Sequence, residues 1–223
     1  MTARRIVVWR HGRTAWNVEH RFQGQADTGL DKVGREQAER SAAVLAALRP
    51  AVLWASDLSR ARDTAEALAV VTGLSVTTDK RLREIHVGSW EGLLRHEVDA
   101  ADPELSRRLQ AGEDVRRSAT GESTSEVGER VAEALAELAE SAPDGSTVVA
   151  ASHGLAGRVG AAKLVGLPFE SWRLLAGLSN CGWISIDRHR SGDYWRIEQY
   201  NVTAPEVAGP AGGSDFAAGD VPR

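Results

Sequence analysis

The chain is poor in cysteine, lysine and aromatic residues. One of its 223 residues is cysteine, and 5% are aromatic. The lone Cys181 cannot close a disulfide within the chain, so a reducing cytoplasm is the simplest location to expect. The positive charges are almost all arginine, since only Lys32, Lys80 and Lys163 are lysine. We interpret this arginine excess as codon bias first and as anion binding second.

Long apolar runs and an excess of positive charge are also missing. No stretch reaches the roughly 20 apolar residues of a membrane-spanning helix. The N-terminal "MTARRIVVW" lacks the apolar run of a signal peptide. The net charge of −4 argues against nucleic-acid binding, because such proteins carry a basic surface. The sequence therefore predicts neither a membrane nor a nucleic-acid partner.

Short apolar runs alternate with segments of helical spacing. The runs predict strands at 5–9, 51–56, 74–79, 147–152, 182–189 and 194–200, with a turn at 191–193 between the last two. The helical spacing predicts helices at 30–48, 57–71 and 126–141, and from 154 onward. Ser56 is predicted to cap the start of the second helix, and Gly73 follows its end. Strands that alternate with helices predict an α/β domain with a mostly parallel sheet.

The composition changes near residue 201. The final segment, "NVTAPEVAGPAGGSDFAAGDVPR", is dominated by glycine, alanine and proline. Such a segment has too little apolar surface to pack as a domain. We therefore predict one domain over residues 1–200 and a mobile C-terminal tail over 201–223.

Two predicted strands run into the same pair of residues. "VVWRHG" ends at His11-Gly12, and "VVAASHG" ends at His153-Gly154. Ligands gather at the carboxyl ends of strands in open α/β sheets, so the two histidines are expected to meet. Arg60 lies in the first turn of a predicted helix at the same rim, where the helix N-terminus favours anions. Glu84 follows a further strand, in the loop "RLREIHVGSW".

These residue types suit phosphoryl transfer through a histidine. A neutral imidazole is a competent nucleophile near pH 7. Arginine forks match the oxygens of a phosphate and neutralise its charge without a metal ion. A carboxyl group can protonate the leaving oxygen and later deprotonate water. No tight group of histidine and cysteine suggests a zinc site.

The residues around these positions resemble a known family. "RHGRTAWN", "SDLSRARDTA", "LREIHVGSWEG", "GES" and "ASHG" occur in the order found in branch 1 of the histidine phosphatase superfamily, also called phosphoglycerate mutase-like. The resemblance covers about residues 4–200. It implies a three-layer α/β/α fold, a metal-independent phosphatase without a cofactor, a small phosphorylated metabolite as substrate, and a homodimer.

The resemblance also implies roles for individual residues. His11 is the implied nucleophile and Glu84 the implied acid and base. The remaining implied site residues are those of the phosphate pocket, Arg10, Arg60 and His153, and those on the substrate side, Asn17 and Gln23. Arg13 stands where the family commonly has Gln or Glu. An extra cation there would suit a second anionic group on the substrate.

The substrate is predicted less firmly than the reaction. The N-terminal half is similar to actinobacterial phosphatases that act on glucosyl-3-phosphoglycerate, through "RHGxTxxN", "QGQxDT" and "LREIHVGSW". That substrate is the leading expectation. A broad-specificity acid phosphatase, a phosphoglycerate mutase and a catalytically inactive protein that binds phosphate ligands are the alternatives. The segment between Glu84 and Gly121 is short for a mutase, and the intact set of site residues argues against an inactive relic.

Overall fold

A computed structural model describes residues 2–191 and 194–205 of the chain. Six strands form one sheet in the order β3-β2-β4-β1-β5-β6. The strands are β1 (Arg5–Arg10), β2 (Pro50–Ala55), β3 (Val76–Thr78), β4 (Thr147–Ser152), β5 (Trp183–Arg188) and β6 (Trp195–Val202). Strands β3, β2, β4 and β1 are parallel, and β5 and β6 add an antiparallel edge. The expected α/β sheet is confirmed.

Eight helices accompany the sheet within the described residues. They are α1 (Ala15–Val18), α2 (Lys32–Ala46), α3 (Ser59–Thr72), α4 (Arg95–Ala101), α5 (Pro103–Gln110), α6 (Thr124–Glu140), α7 (Gly154–Leu164) and α8 (Phe169–Trp172). Two 3₁₀ turns lie at Lys80–Leu82 and Gly88–Trp90. None of these helices is long and apolar enough to cross a membrane.

The sheet is covered on both faces, because its central strands are apolar on both sides. In β1, Ile6 and Val8 pack in one core cluster with α6 and α7. Val7 and Trp9, which point the other way, pack with α2 and α3. Alternate residues of a strand face opposite sides of a sheet, so one strand serves two cores. The implied three-layer arrangement is confirmed.

Some predicted boundaries need correction. Ser56 does not cap α3, which begins at Ser59 with Leu58 as its capping residue. Gly73 does end α3, in the left-handed conformation with φ 73°. Asn201 and Val202, predicted to lie in the tail, are the last residues of β6. Residues 192 and 193 of the predicted turn, and 206–223 of the predicted tail, lie outside the described residues.

Candidate active site

The ends of three neighbouring parallel strands bring the predicted site together. Strand β4 lies between β1 and β2, and all three finish at one edge of the sheet. His11 follows β1, Ser56 follows β2 and His153 follows β4. The ring centroids of the two histidines are 5.2 Å apart. The order of the strands therefore brings the two histidines together, as the sequence predicted.

Glycine allows the loop after β1 to lie against the start of α2. A Cβ atom on Gly12 would stand 2.3 Å from the Gly34 carbonyl oxygen, and one on Gly34 would stand 2.0 Å from the Arg13 carbonyl oxygen. Neither position tolerates a side chain without moving the backbone. The Gly12 amide also donates to the Thr64 hydroxyl at 3.1 Å. This packing fixes the backbone on which His11 is mounted.

The hydrogen bond of His11 determines which ring nitrogen can react. Its Nδ1 lies 2.7 Å from the Gly12 carbonyl oxygen. A carbonyl only accepts, so Nδ1 carries the proton and the Nε2 lone pair is unprotonated. His11 lines the cleft although only 3% of it is exposed. The tautomer leaves Nε2 as the nucleophilic atom.

Ser56 orients the second histidine. Its hydroxyl accepts from the Leu58 amide at 3.3 Å and lies 2.9 Å from His153 Nε2. The hydroxyl has a proton and a second acceptor position, so the contact fits either tautomer of His153. His153 Nδ1 is buried and has no hydrogen-bond partner among the described residues. In the tautomer in which Ser56 donates to Nε2, Nδ1 carries the proton and is a donor suited to a phosphate oxygen.

Both imidazoles are held neutral. Burial lowers the pKa of His11 well below 6.5, and the charges of Arg60 and Arg10 lower it further. Burial likewise lowers the pKa of His153 well below 6.5, helped by Arg60 and His11. A cationic environment around two uncharged rings favours a negatively charged ligand between them.

Two buried arginines supply that cationic environment. Arg60 donates from both terminal nitrogens, to the carbonyl oxygens of Ala26 and Gly24, each at 2.8 Å. Its Nε has no hydrogen-bond partner among the described residues. Burial lowers the pKa of Arg60 to about 10, so it stays protonated at neutral pH. Arg10 lies at the end of β1 and donates to the Leu178 carbonyl.

The Glu84 carboxyl group lies at the N-terminus of α7. Its Oε1 accepts from the amides of Ile85 and Ala156 at 2.9 and 3.0 Å. Its Oε2 accepts from the Leu155 amide at 3.1 Å. Oε1 is thus fully occupied, whereas Oε2 has one acceptor position left. Because Glu84 lines the cleft beside His11, Oε2 is the oxygen that can carry a proton there.

The cleft is lined by most of the predicted site residues. These are Arg10, His11, Asn17, Gln23, Arg60 and Glu84. The amide oxygen of Asn17 accepts from Thr14, and that of Gln23 accepts from Thr14 and Thr28. With the oxygens so held, both side chains have their amide N–H groups left for a ligand.

His153 is buried beside His11 and does not itself line the cleft. Arg13 does not line the cleft either. Its Nε pairs with the Asp31 carboxylate at 2.8 Å, and its amide donates to Gln37. Arg21 lines the cleft instead, held by Glu19 at 2.7 Å and by the Gly92 carbonyl at 2.7 Å. The position of Arg13 in the sequence motif therefore did not identify the further cation of the cleft, which is Arg21.

Asn180 is a site residue that the sequence did not reveal. It is 7% exposed, and its Nδ2 donates to the His11 carbonyl and to the Asn17 side chain, each at 3.2 Å. It ties the nucleophile loop to the substrate side of the cleft. No local signal marks it, because the contact spans 169 positions of sequence.

The neutral state of the two imidazoles predicts an acid-sensitive fold. Since the folded pKa values lie below 6.5, the unfolded chain binds more protons at acid pH. This contribution to stability is complete above pH 6.5 and is lost as the pH falls through the folded pKa values. Each buried ring contributes up to about 1.4 kcal/mol per pH unit within that window. Urea unfolding between pH 7.5 and 5 measures the slope.

A variant isolates one of the rings. His153→Gln is expected to unfold with a shallower pH dependence below pH 6.5 than the wild type. His96→Asn, which changes an exposed ring on α4, is the control. Parallel curves for wild type and His153→Gln would contradict the prediction.

Comparisons with known proteins agree with this geometry. The model of the histidine phosphatase superfamily (branch 1) matches residues 6–203. The glucosyl-3-phosphoglycerate phosphatase of Mycolicibacterium vanbaalenii is 40% identical over 222 residues, covering 92% of this chain and 97% of that protein. A mycobacterial glucosyl-3-phosphoglycerate phosphatase structure with VO3 superposes with a TM-score of 0.82 at 38% identity, covering 90% of this chain and 100% of the other.

A second group of relatives carries a different activity in its name. A probable phosphoglycerate mutase of Erwinia tasmaniensis is 36% identical over 186 residues, covering 83% of this chain and 86% of that protein. Sequences similar to this chain therefore include proteins named for hydrolysis and proteins named for isomerisation.

Proposed function

The chain belongs to branch 1 of the histidine phosphatase superfamily, and from this premise we propose that it hydrolyses glucosyl-3-phosphoglycerate through a phosphohistidine at His11. Family membership and the relatives named as phosphatases together support phosphatase activity. The observation that supports the mechanism most directly is the orientation of His11, whose protonated Nδ1 leaves Nε2 as a free nucleophile in a cleft lined by Arg10 and Arg60.

In the first step, the Nε2 lone pair of His11 attacks phosphorus as the ester P–O bond breaks. Arg10, Arg60 and the Nδ1–H of His153 hold the phosphoryl oxygens, whose charge they neutralise. The leaving oxygen takes the proton carried on Glu84 Oε2 and departs as an alcohol. The products at this point are N-phosphorylated His11 and an ionised Glu84.

In the second step, Glu84 acts as a base. Its carboxylate removes a proton from a water molecule, whose oxygen attacks phosphorus as the N–P bond breaks. His11 regains its lone pair, Glu84 regains its proton and inorganic phosphate is released. The three backbone amides that hold Glu84 fix the carboxyl group in one orientation for both transfers.

The substrate proposal rests on relatives and on one cation. Relatives named for glucosyl-3-phosphoglycerate are 40% identical across nearly the whole chain. That substrate has a carboxylate besides its phosphate, and Arg21 brings a further cation to the cleft. The identity and the extra cation together favour this substrate over a phosphomonoester with no second anionic group.

A substrate panel with phosphate release as its readout tests the proposal. Glucosyl-3-phosphoglycerate is expected to give kcat/KM at least about tenfold above 3-phosphoglycerate and nitrophenyl phosphate, the difference that a few extra contacts provide. Equal kcat/KM for all three would indicate the broad-specificity phosphatase instead. Conversion of 3-phosphoglycerate to its isomer in the presence of bisphosphoglycerate would indicate the mutase.

The setting of the enzyme is part of the same proposal. We place it in the cytoplasm because its single cysteine is a free, buried thiol, and free thiols are usual in that reducing compartment. We also propose a homodimer, on the family resemblance alone. Sedimentation velocity measures the second of these directly, and a monomer at micromolar concentration would contradict it.

A further inference from the structure

A second cavity, of about 210 Å³, lies between helices α5, α6, α7 and α8. A volume of this size can hold one ring-sized group rather than a drug-sized molecule. Among the described residues, Leu155 is the single one that lines both this cavity and the catalytic cleft. The second cavity therefore adjoins the cleft at Leu155, and the rest of its described lining is different.

One side of the second cavity is aromatic. Trp172 is buried, and its ring N–H donates to the Leu167 carbonyl at 2.9 Å. Phe169 packs edge-on against it, with ring centroids 5.3 Å apart. Because the one polar atom of the indole is already satisfied, these rings offer the cavity only apolar surface, which suits an apolar or aromatic group.

The other side holds a buried cation, Arg117. The residue is 8% exposed and lines the cavity. Its terminal nitrogens donate to the Val115 carbonyl and the Thr124 hydroxyl, each at 3.0 Å, and both acceptors are neutral. No described carboxylate forms an ion pair with it. The nearby Asp114 accepts from the hydroxyls of Ser123 and Ser125 and from the Ser125 amide, so its charge acts on Arg117 without an ion pair between them.

The charged groups around Arg117 also bear on whether an anion would bind there. Arg158 is a second buried arginine on the cavity wall. Burial lowers the pKa of Arg117 to about 10; the charge of Asp114 opposes this shift, whereas the charges of Arg158 and Arg95 add to it. Arg117 remains protonated at neutral pH. Asp114 compensates the buried charge without pairing with it, so an anion bound directly to the guanidinium would stabilise it further.

We propose that the second cavity binds a small organic carboxylate with an apolar, ring-sized body. The carboxylate pairs with Arg117, and the body packs against Phe169 and Trp172. Three arginines on the wall, Arg117, Arg158 and Arg173, outnumber its two carboxylates, Glu113 and Glu170, so the wall favours an anionic head group. The aromatic side favours the apolar body. The site stands apart from the proposed function, since none of its polar residues lies in the catalytic cleft.

A matched pair of probes tests the site on the full chain. 4-Phenylbutyrate and 4-phenylbutanol share the phenyl ring and chain length but differ in charge. Calorimetric titration is expected to show the carboxylate binding at least tenfold more tightly than the alcohol. Phosphatase turnover should show no competition between the carboxylate and nitrophenyl phosphate. Equal affinity for the two probes, undetectable binding at millimolar carboxylate or competitive inhibition would each overturn the proposal.

Two neighbouring arginines provide the variant and its control. Arg117→Met is expected to weaken carboxylate binding at least tenfold and to leave alcohol binding unchanged. Arg116→Met is the control, because Arg116 is exposed and pairs with Glu126 outside the cavity. Arg117→Lys keeps the charge and should retain part of the affinity. Carboxylate binding that survives in Arg117→Met would overturn the proposal, and the comparison of the two wild-type probes decides it if that variant fails to fold.

Discussion

Replacement of His11 by alanine is expected to abolish phosphatase turnover while the chain stays folded. When the catalytic residues depend on one another, removal of the covalent nucleophile lowers kcat by about 10⁶-fold. The fold should survive because the backbone of His11 keeps its own bonds: its amide donates to the Ser152 carbonyl, and its carbonyl accepts from Cys181. Only the side-chain bond to the Gly12 carbonyl is lost.

The covalent intermediate gives this prediction a second readout. Wild-type enzyme quenched during turnover should carry phosphate that is labile in acid and stable in base, as a phosphohistidine is, whereas His11→Ala should carry none. His96→Ala, on an exposed helix, is the control and should retain both turnover and trapped phosphate. Retained turnover in His11→Ala, or complete loss of wild-type turnover with EDTA, would refute the phosphohistidine mechanism.

The elements that the sequence predicted well are the buried ones. Strand β4 was predicted at its observed bounds, Thr147–Ser152, because its four central residues are apolar and His153 follows it. Helix α2 was found from regular apolar spacing, and α3 from the expected cap at Ser56 and the glycine after its end. The order of strands in the sheet was not predictable, because it depends on which strand pairs with which across long stretches of chain.

The elements that were missed are short and polar. Helix α4 has one buried residue, Val98, and α5 has one, Ser106, so neither shows a strong apolar period. Their start signals were present all the same. Asp102 caps α5 and Pro103 occupies its first turn, a combination typical of helix N-termini. Local capping identifies such helices where apolar periodicity does not.

The candidate site divides in the same way. His11, Arg60 and His153 follow strands that the sequence shows directly, so their meeting could be predicted. Ser56 and Asn180 act through hydrogen bonds to residues far away in sequence. Arg13 was linked to the substrate by its place in a motif, yet it pairs with Asp31 and does not line the cleft, whereas Arg21 does. Side-chain partners of this kind become visible only in three dimensions.

The Glu84→Gln variant is expected to separate proton transfer from substrate binding. A general acid matters in proportion to how poorly the leaving group departs without a proton. An alkyl phosphate such as glucosyl-3-phosphoglycerate releases a poor leaving group, whereas nitrophenyl phosphate releases a good one. Glu84→Gln should therefore slow phosphorylation of His11 by the alkyl substrate about 10²–10⁴-fold, the usual contribution of general acid catalysis. Phosphorylation by the aryl substrate should change far less.

The local structure makes glutamine a fair replacement. Its amide oxygen can still accept from the Ile85 and Ala156 amides, as Oε1 does now. Only the bond from the Leu155 amide to Oε2 is lost, and thermal unfolding of the variant measures that cost. The change thus removes a proton-carrying oxygen with little loss of shape.

Arg60→Ala is the matched comparison. It removes a guanidinium that binds the transferred phosphoryl group itself, so kcat/KM should fall by similar factors for both substrates.

In Glu84→Gln the aryl substrate should also show a burst of nitrophenol followed by slow turnover, because water attack on phosphorylated His11 needs the same carboxylate as base. Stopped-flow measurement of the burst separates the two steps. Equal losses in the burst rate for alkyl and aryl substrates in Glu84→Gln would remove Glu84 as the acid. His153 would then be the next proton donor to examine, since its Nδ1 has no hydrogen-bond partner among the described residues and its ring lies beside that of His11.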